Sequence, residues 1–164
     1  MYYYAGGERI SIEPDDAQVA VDPTKAMEAD LRSAVERAAR GTHLPGGILL
    51  LPRSALDEPW LQRLRESGAL RTVYRRGQVL IIPLPEIRVE FDDPEQRQAV
   101  VDSIPQAPYP VKVAEKHADR MLLMPVSGNS EEALAIANFV YEHARPASAA
   151  VRFLQVVPKR QPRR

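Results

Sequence analysis

The chain is 164 residues long, 45% hydrophobic and 27% charged, with 22 basic residues against 22 acidic ones. This is the composition of a globular protein, and a chain of this length buries about 70% of its unfolded surface without staples. The zero net charge argues against a dedicated nucleic-acid binder, which needs surplus Lys and Arg against phosphate, and the lack of cysteine excludes disulfides and thiolate metal sites.

No apolar run approaches the ~18 residues of a membrane span. The opening MYYYAGGERISIEPDD lacks the basic-then-apolar pattern of a signal peptide, so a cytoplasmic protein is expected. The 15 prolines, about twice the usual frequency, sit mostly at element edges and punctuate many short elements.

In chain order, residues 2–12 read as a hairpin whose turn takes its positive-φ positions from Gly6-Gly7. Residues 18–22 alternate polar and apolar as a short strand. Asp22 is then expected to cap a helix with Pro23 at its first position, and Met27, Leu31, Ala34, Val35 and Ala38 form its apolar face up to Gly41. Residues 47–51 (GILLL), apolar throughout and bounded by Gly and Pro, read as a central strand. A shorter helix over 57–67 turns Trp60, Leu61 and Leu64 inward and stops at Gly68. The strand over 70–75 leads into YRRGQVLIIPLPEIRVEF, residues 74–91, which reads as a tight turn at Gly77, a strand, a break at Pro83-Leu84-Pro85, and an alternating strand over 86–91.

Asp93 caps the next helix, with Pro94 at its start, Gln96 in the reciprocal capping position and Val100, Val101 and Ile104 as apolar positions. Strands over 109–115 and 120–124 are joined around His117-Ala118-Asp119. Asn129 caps a helix that buries Ala133, Leu134, Ala137, Val140 and Tyr141, a strand over 150–157 follows, and residues 158–164 carry no apolar side chain.

The two halves repeat. Tyr4-Ala-Gly-Gly7 to Ile12 aligns with Tyr74-Arg-Arg-Gly77 to Ile82, and the same offset pairs Val19 with Val89 and Asp22 with Asp92; Leu50-Leu51-Pro52 matches Leu123-Met124-Pro125 at a slightly larger one. An internal duplication follows. The expected fold is α+β: two tandem ferredoxin-like (split βαβ) units, each an antiparallel sheet covered by two helices, over residues 1–83 (with the hairpin) and 84–157, with a basic tail at 158–164.

No nucleophile–base pair, HExxH, Walker loop or GxGxxG occurs. His43, His117 and His143 fall in a loop, a hairpin turn and a helix end, and Ser54, Ser127 and Ser130 in turns and caps, where hydroxyls serve the local backbone. Asp15-Asp16 and Asp92-Asp93 are better explained by a turn and a helix cap than by a cation site. No catalytic residue, cofactor or metal is therefore expected, and the chain reads as a non-enzyme. Tyr2-Tyr3-Tyr4 is expected to cover the sheet or touch a partner.

Residues 74–91 and the run Ser130-Glu-Glu-Ala-Leu-Ala-Ile-Ala-Asn138-Phe-Val-Tyr-Glu142 resemble the amino-terminal propeptide region of bacterial subtilisin-like serine proteases, in the longer, fervidolysin-like type. There a Tyr-rich opening with a Gly turn precedes a Val-x-Val strand, as Tyr2-Tyr3-Tyr4-Ala-Gly-Gly7 precedes Val19-Ala-Val21. An Ala-Leu-x-x-Ala-Asn helix also precedes a last strand, as Ala133-Leu134 to Asn138 precedes Val151-Arg-Phe153. The protease's Asp, His and Ser signatures are missing from this chain. The resemblance implies a ferredoxin-like, non-catalytic chaperone and inhibitor whose last segment lies along a protease groove through main-chain hydrogen bonds. Val156, Val157, Pro158, Lys159 and Arg160 would then bind the partner, together with Tyr2, Tyr3 and Tyr4. The partner would be such a protease or another bacterial protein, with neither nucleic acid nor membrane involved. The alternative is an adaptor or oligomerisation module of a bacterial multi-protein system, and a small-molecule sensor with a pocket between the halves comes third.

Overall fold

The structure, a computed structural model, describes residues 1–25, 28–38 and 43–157. It is a mixed α+β fold whose strands pair antiparallel throughout. A small hairpin of β1 (Tyr2–Ala5) and β2 (Glu8–Ser11) stands apart from a seven-stranded sheet. That sheet comprises β3 (Glu13–Val21), β4 (Leu49–Pro52), β5 (Leu70–Arg76), β6 (Val79–Glu90), β7 (Val111–Lys116), β8 (Arg120–Pro125) and β9 (Ser148–Val156). The helices are α1 (Ala29–Ala38), α2 (Glu58–Glu66), α3 (Pro94–Ser103) and α4 (Ser130–Ala144).

The strands run β4-β3-β5-β6-β8-β7, and β9 pairs with β6 besides. The first half of β6 takes β5 on one edge (Tyr74 opposite Ile81), its second half takes β8 (Ile87 opposite Leu123), and β9 borders both halves. The two sets of strands therefore belong to one sheet rather than two. The expected break at Pro83-Leu84-Pro85 is a bulge inside a continuous β6, not an end: proline forfeits a ladder hydrogen bond, and the register shift between Pro83 and Ile87 absorbs the loss. The boundary expected between residues 83 and 84 falls inside that strand.

Side-chain alternation explains why one strand serves two environments. Ile81, Ile87 and Val89 point to the helix-covered face, into a cluster with Val100 of α3 and Leu134, Ile136, Ala137 and Val140 of α4. The intervening Leu80 and Ile82 join Ala20, Leu50 and Val73 on the opposite face, under Leu44 and Ile48. Further along that same opposite face β6 carries Arg88 and Glu90, ion-paired at 3.0 Å. VLII is thus apolar on both faces and IRVE on one only. A separate cluster packs Leu31 and Val35 of α1 and Leu61 and Leu64 of α2 on Val19, Val21, Leu49 and Leu51.

Three further expectations need correcting. Asp22 does not cap α1: its carboxylate accepts the Thr24 N–H (2.9 Å) and hydroxyl (2.6 Å) in a local turn, so α1 starts at Ala29. Met27 and Gly41 lie outside the described residues. β4 is not central. It is apolar because both its faces are covered, yet among the described residues it ends the row, joined beyond by a single bridge between Leu49 and His43. The offset matching Leu51 to Met124 is not the structural one, since Val19 pairs with Leu51 where Val89 pairs with Met121. Elsewhere the caps are as read: Asp93 accepts the Gln96 N–H (2.8 Å), and Asn129 accepts the N–H groups of Glu131 and Glu132.

Candidate interaction site

The residues expected to meet a partner come from both ends of the sequence, and the fold brings several of them to one place. In β1 the period of two sends Tyr2 and Tyr4 one way and Tyr3 the other. Tyr2 and Tyr4 reach α4, where both phenols donate to the same Glu142 oxygen, at 2.7 and 2.9 Å. Tyr4 stacks on Tyr141 with ring centroids 4.4 Å apart, and the Arg9 guanidinium lies 3.7 Å above the Tyr2 ring. Asn138, buried on α4, donates its side-chain amide to the Tyr2 carbonyl at 2.9 Å. Tyr3 faces β9 and packs on Phe153 at 4.7 Å. The hairpin thus rests on α4 and β9, elements of the second half.

These contacts set the local electrostatics. Two donated hydrogen bonds, the Tyr2 bond foremost, hold the Glu142 carboxyl below the ordinary glutamate range, against a smaller opposing effect of burial. The same bonds raise the phenols of Tyr2 and Tyr4.

Between β1 and β9 lies a slot of about 420 Å³, walled by Tyr3, Tyr4, Tyr141, Val151 and Phe153. It stays open because the residues beside it are small: Gly6 and Gly7 in the turn, Ala149 and Ala150 in β9. Beyond its ladder with β6, β9 carries no further strand among the described residues, so its outer backbone edge borders the slot.

Tyr3 and Tyr4 line this slot, and Tyr2 is held by Glu142 beside it. Val156 is elsewhere: it pairs with Leu80 and packs in the cluster on the opposite face. Val157 follows, 68% exposed. Pro158, Lys159 and Arg160 lie outside the described residues. Sequence reasoning missed Asn138, Glu142 and Phe153 as the residues that receive the hairpin, and Arg9 as the cation over Tyr2 within it. The available signal was Asn138, a polar residue on an otherwise apolar helix face, which needs a buried partner.

The histidines are scattered: His43 bridges Leu49, His117 stands 3.5 Å from Glu115, and His143 stacks on Phe139. Among the described residues no group of three or more His, Asp or Glu is placed to hold a metal ion, and no helix is long and apolar enough to cross a membrane.

No protein-family model matches the chain, and no curated protein matches it. Among solved structures, the ligand-free regulatory subunit of aspartate kinase from Thermus thermophilus aligns over 81% of this chain and 97% of its own, at 14% identity and a TM-score of 0.23. A likeness at that score carries no argument about fold or function.

Proposed function

We propose that the chain is a non-catalytic protein-binding module, acting as a propeptide-type chaperone and inhibitor of a subtilisin-like serine protease. The observation that carries this reading is the edge of β9. Its outer backbone groups are unpaired among the described residues, apolar and aromatic side chains flank them, and the strand leads out of the sheet at Val157. An extended segment of a partner gains affinity from such an edge through main-chain hydrogen bonds and specificity from the side pockets.

The architectural part of the reading is a pair of ferredoxin-like units. The second half supports it with strand order β9-β6-β8-β7, in which each helical crossover skips one strand. The first half supports it with β5-β3-β4 and the lone His43 bridge where a further strand would lie. Shared descent of the halves rests on the repeat in the sequence.

The test is to titrate the full chain, and a version ending at Val157, against a panel of subtilisin-like proteases, following both inhibition and refolding yield. The reading expects inhibition by the full chain that weakens at least tenfold on truncation. Neither inhibition nor assisted refolding from either version would end it.

A further inference from the structure

The tyrosine hairpin is fastened to the rest of the protein by side chains. Among the described residues β1 and β2 pair only with each other, and no bond between main-chain groups links residues 1–11 to α4 or β9. The fastenings are Glu142 under the two phenols, Asn138 on the Tyr2 carbonyl, and the ring contacts of Tyr3 with Phe153 and Tyr4 with Tyr141. None of residues 2–11 is buried, whereas Ile12 is 2% exposed in the core and Glu13 pairs with Arg75 in the sheet. The chain therefore has a fixed point at Ile12, and the hairpin before it can leave its seat without opening the core. A lone two-stranded hairpin is marginally stable in water, so its order depends on that seat.

The seat lies against the edge of β9. Residues 147–151 line the slot without a gap. A strand's face presents every second residue, so an unbroken run means that the backbone edge itself borders the slot. Beyond Val151 the lining alternates, through Phe153 and Gln155, and there the Tyr3 ring packs 4.7 Å from the Phe153 ring. A strand added to β9 would bring its own side chain against Phe153 at a similar distance, since same-face neighbours on adjacent strands lie roughly 4.5–5.5 Å apart. Tyr3 and such a strand compete for one ring. The edge past Val151 is closed while the hairpin is seated.

We propose that the hairpin is a strap that closes the β9 edge when seated and opens it when it lifts from α4, with the Glu142 carboxylate as its latch. Tyr2 and Tyr4 donate to the same oxygen of that carboxylate, so both bonds are lost together when the strap leaves. The strap regulates the edge read above as the binding edge, and its purpose rests on that reading. Its motion needs no partner and is measured without one.

The protein has no cysteine, so one introduced thiol reports on one place. Ala149, 4% exposed, lines the slot, while the fully buried Ala20 on the opposite face and the exposed Ala150 bracket the range of reactivity. Ala149→Cys, Ala20→Cys and Ala150→Cys are each labelled with iodoacetamide in the full chain under native conditions. Each is measured alone and together with Tyr2→Phe and Tyr4→Phe, which keep both rings and remove both latch donors. Ala133→Cys, also fully buried, replaces Ala20→Cys should that variant melt early. Ala149→Cys should label at a rate between the other two. The tyrosine substitutions should raise that rate at least tenfold, the scale of losing two hydrogen bonds to a carboxylate, and leave the buried reference unchanged. The proposal is overturned if Ala149→Cys labels as slowly as the buried reference or as fast as Ala150→Cys. It is equally overturned if the substitutions leave its rate unchanged or raise the buried reference as much. Protease inhibition is read separately by the titration above, so either result stands without the other.

Discussion

Glu142 shows how one carboxylate ties a terminal hairpin to a distant helix. Its pKa is depressed in the folded chain, so its contribution to hairpin docking is complete above the ordinary glutamate pKa and is lost as pH falls through the lower, folded value. Amide chemical shifts of residues 2–11 should therefore stay constant as pH falls from neutrality to the ordinary glutamate range and move together only at lower pH. Glu142→Ala should produce the displaced shifts already at neutral pH; constant shifts in both experiments would mean that ring packing alone seats the hairpin. Arg71 plays a comparable role inside the fold. Its side chain is 1% exposed, donates to the Gly68 and Gly128 carbonyls, and lies 3.5 Å from Asp22. Burial lowers its pKa, and the Asp22 charge opposes that shift. Arg71→Ala takes the ion-pair partner from Asp22 and the side-chain donor from two carbonyls, and should cost about 3 kcal/mol in chemical denaturation. Neither residue was legible as structural in the sequence, where a lone Glu or Arg is by default solvated, and Tyr2, Tyr4, Asp22 and Gly128 lie far along the chain from the side chains they hold.

At the level of elements, the sequence was legible wherever a local rule governs. Gly6-Gly7 both adopt positive φ, as a two-residue turn of the I′ kind demands, whereas in the β5–β6 turn only Gly77 does. Gly77→Ala forces a left-handed residue with a Cβ and should cost about 1 kcal/mol. The apolar spacing of α4 located its buried face, and Leu134, fully buried there, should cost about 3 kcal/mol when cut to Ala. What failed was inference about neighbours. GILLL, apolar throughout, predicts a central strand, but that pattern reports two covered faces and says nothing about how many edges are paired. Pro83 and Pro85 signalled a break because proline cannot donate, and a bulge answers the same constraint without ending the strand.

For the molecule as a whole, the sheet forks at β6 and, among the described residues, has three ends, each guarded differently. β4 carries the His43 bridge, β7 a bulge with Lys112, Glu115 and Lys116, and β9 the tyrosine hairpin alongside. The repeat in the sequence pointed to two similar halves, yet no residue pattern could reveal that they share strands, because sharing is fixed by pairings between residues far apart. The shared ladder predicts coupled stability. Val151→Pro, which removes a donor opposite Ile87, should lower hydrogen-exchange protection at Leu80 and Ile82 as well as at Val89. Loss confined to Val89 would mean that the halves open independently.

The forked sheet also bears on the order in which the chain acquires its structure during synthesis. The first half emerges with all its own helices and with β6 started, but one side of Leu80 to Pro83 has no neighbour until β9 follows α4 out of the ribosome. Through that interval the nascent chain holds an open, apolar strand edge, the feature by which partly made proteins associate wrongly. Such late, distant pairing also slows folding of the released chain. The strand that completes the sheet is thus the one that ends this vulnerable period for both halves at once.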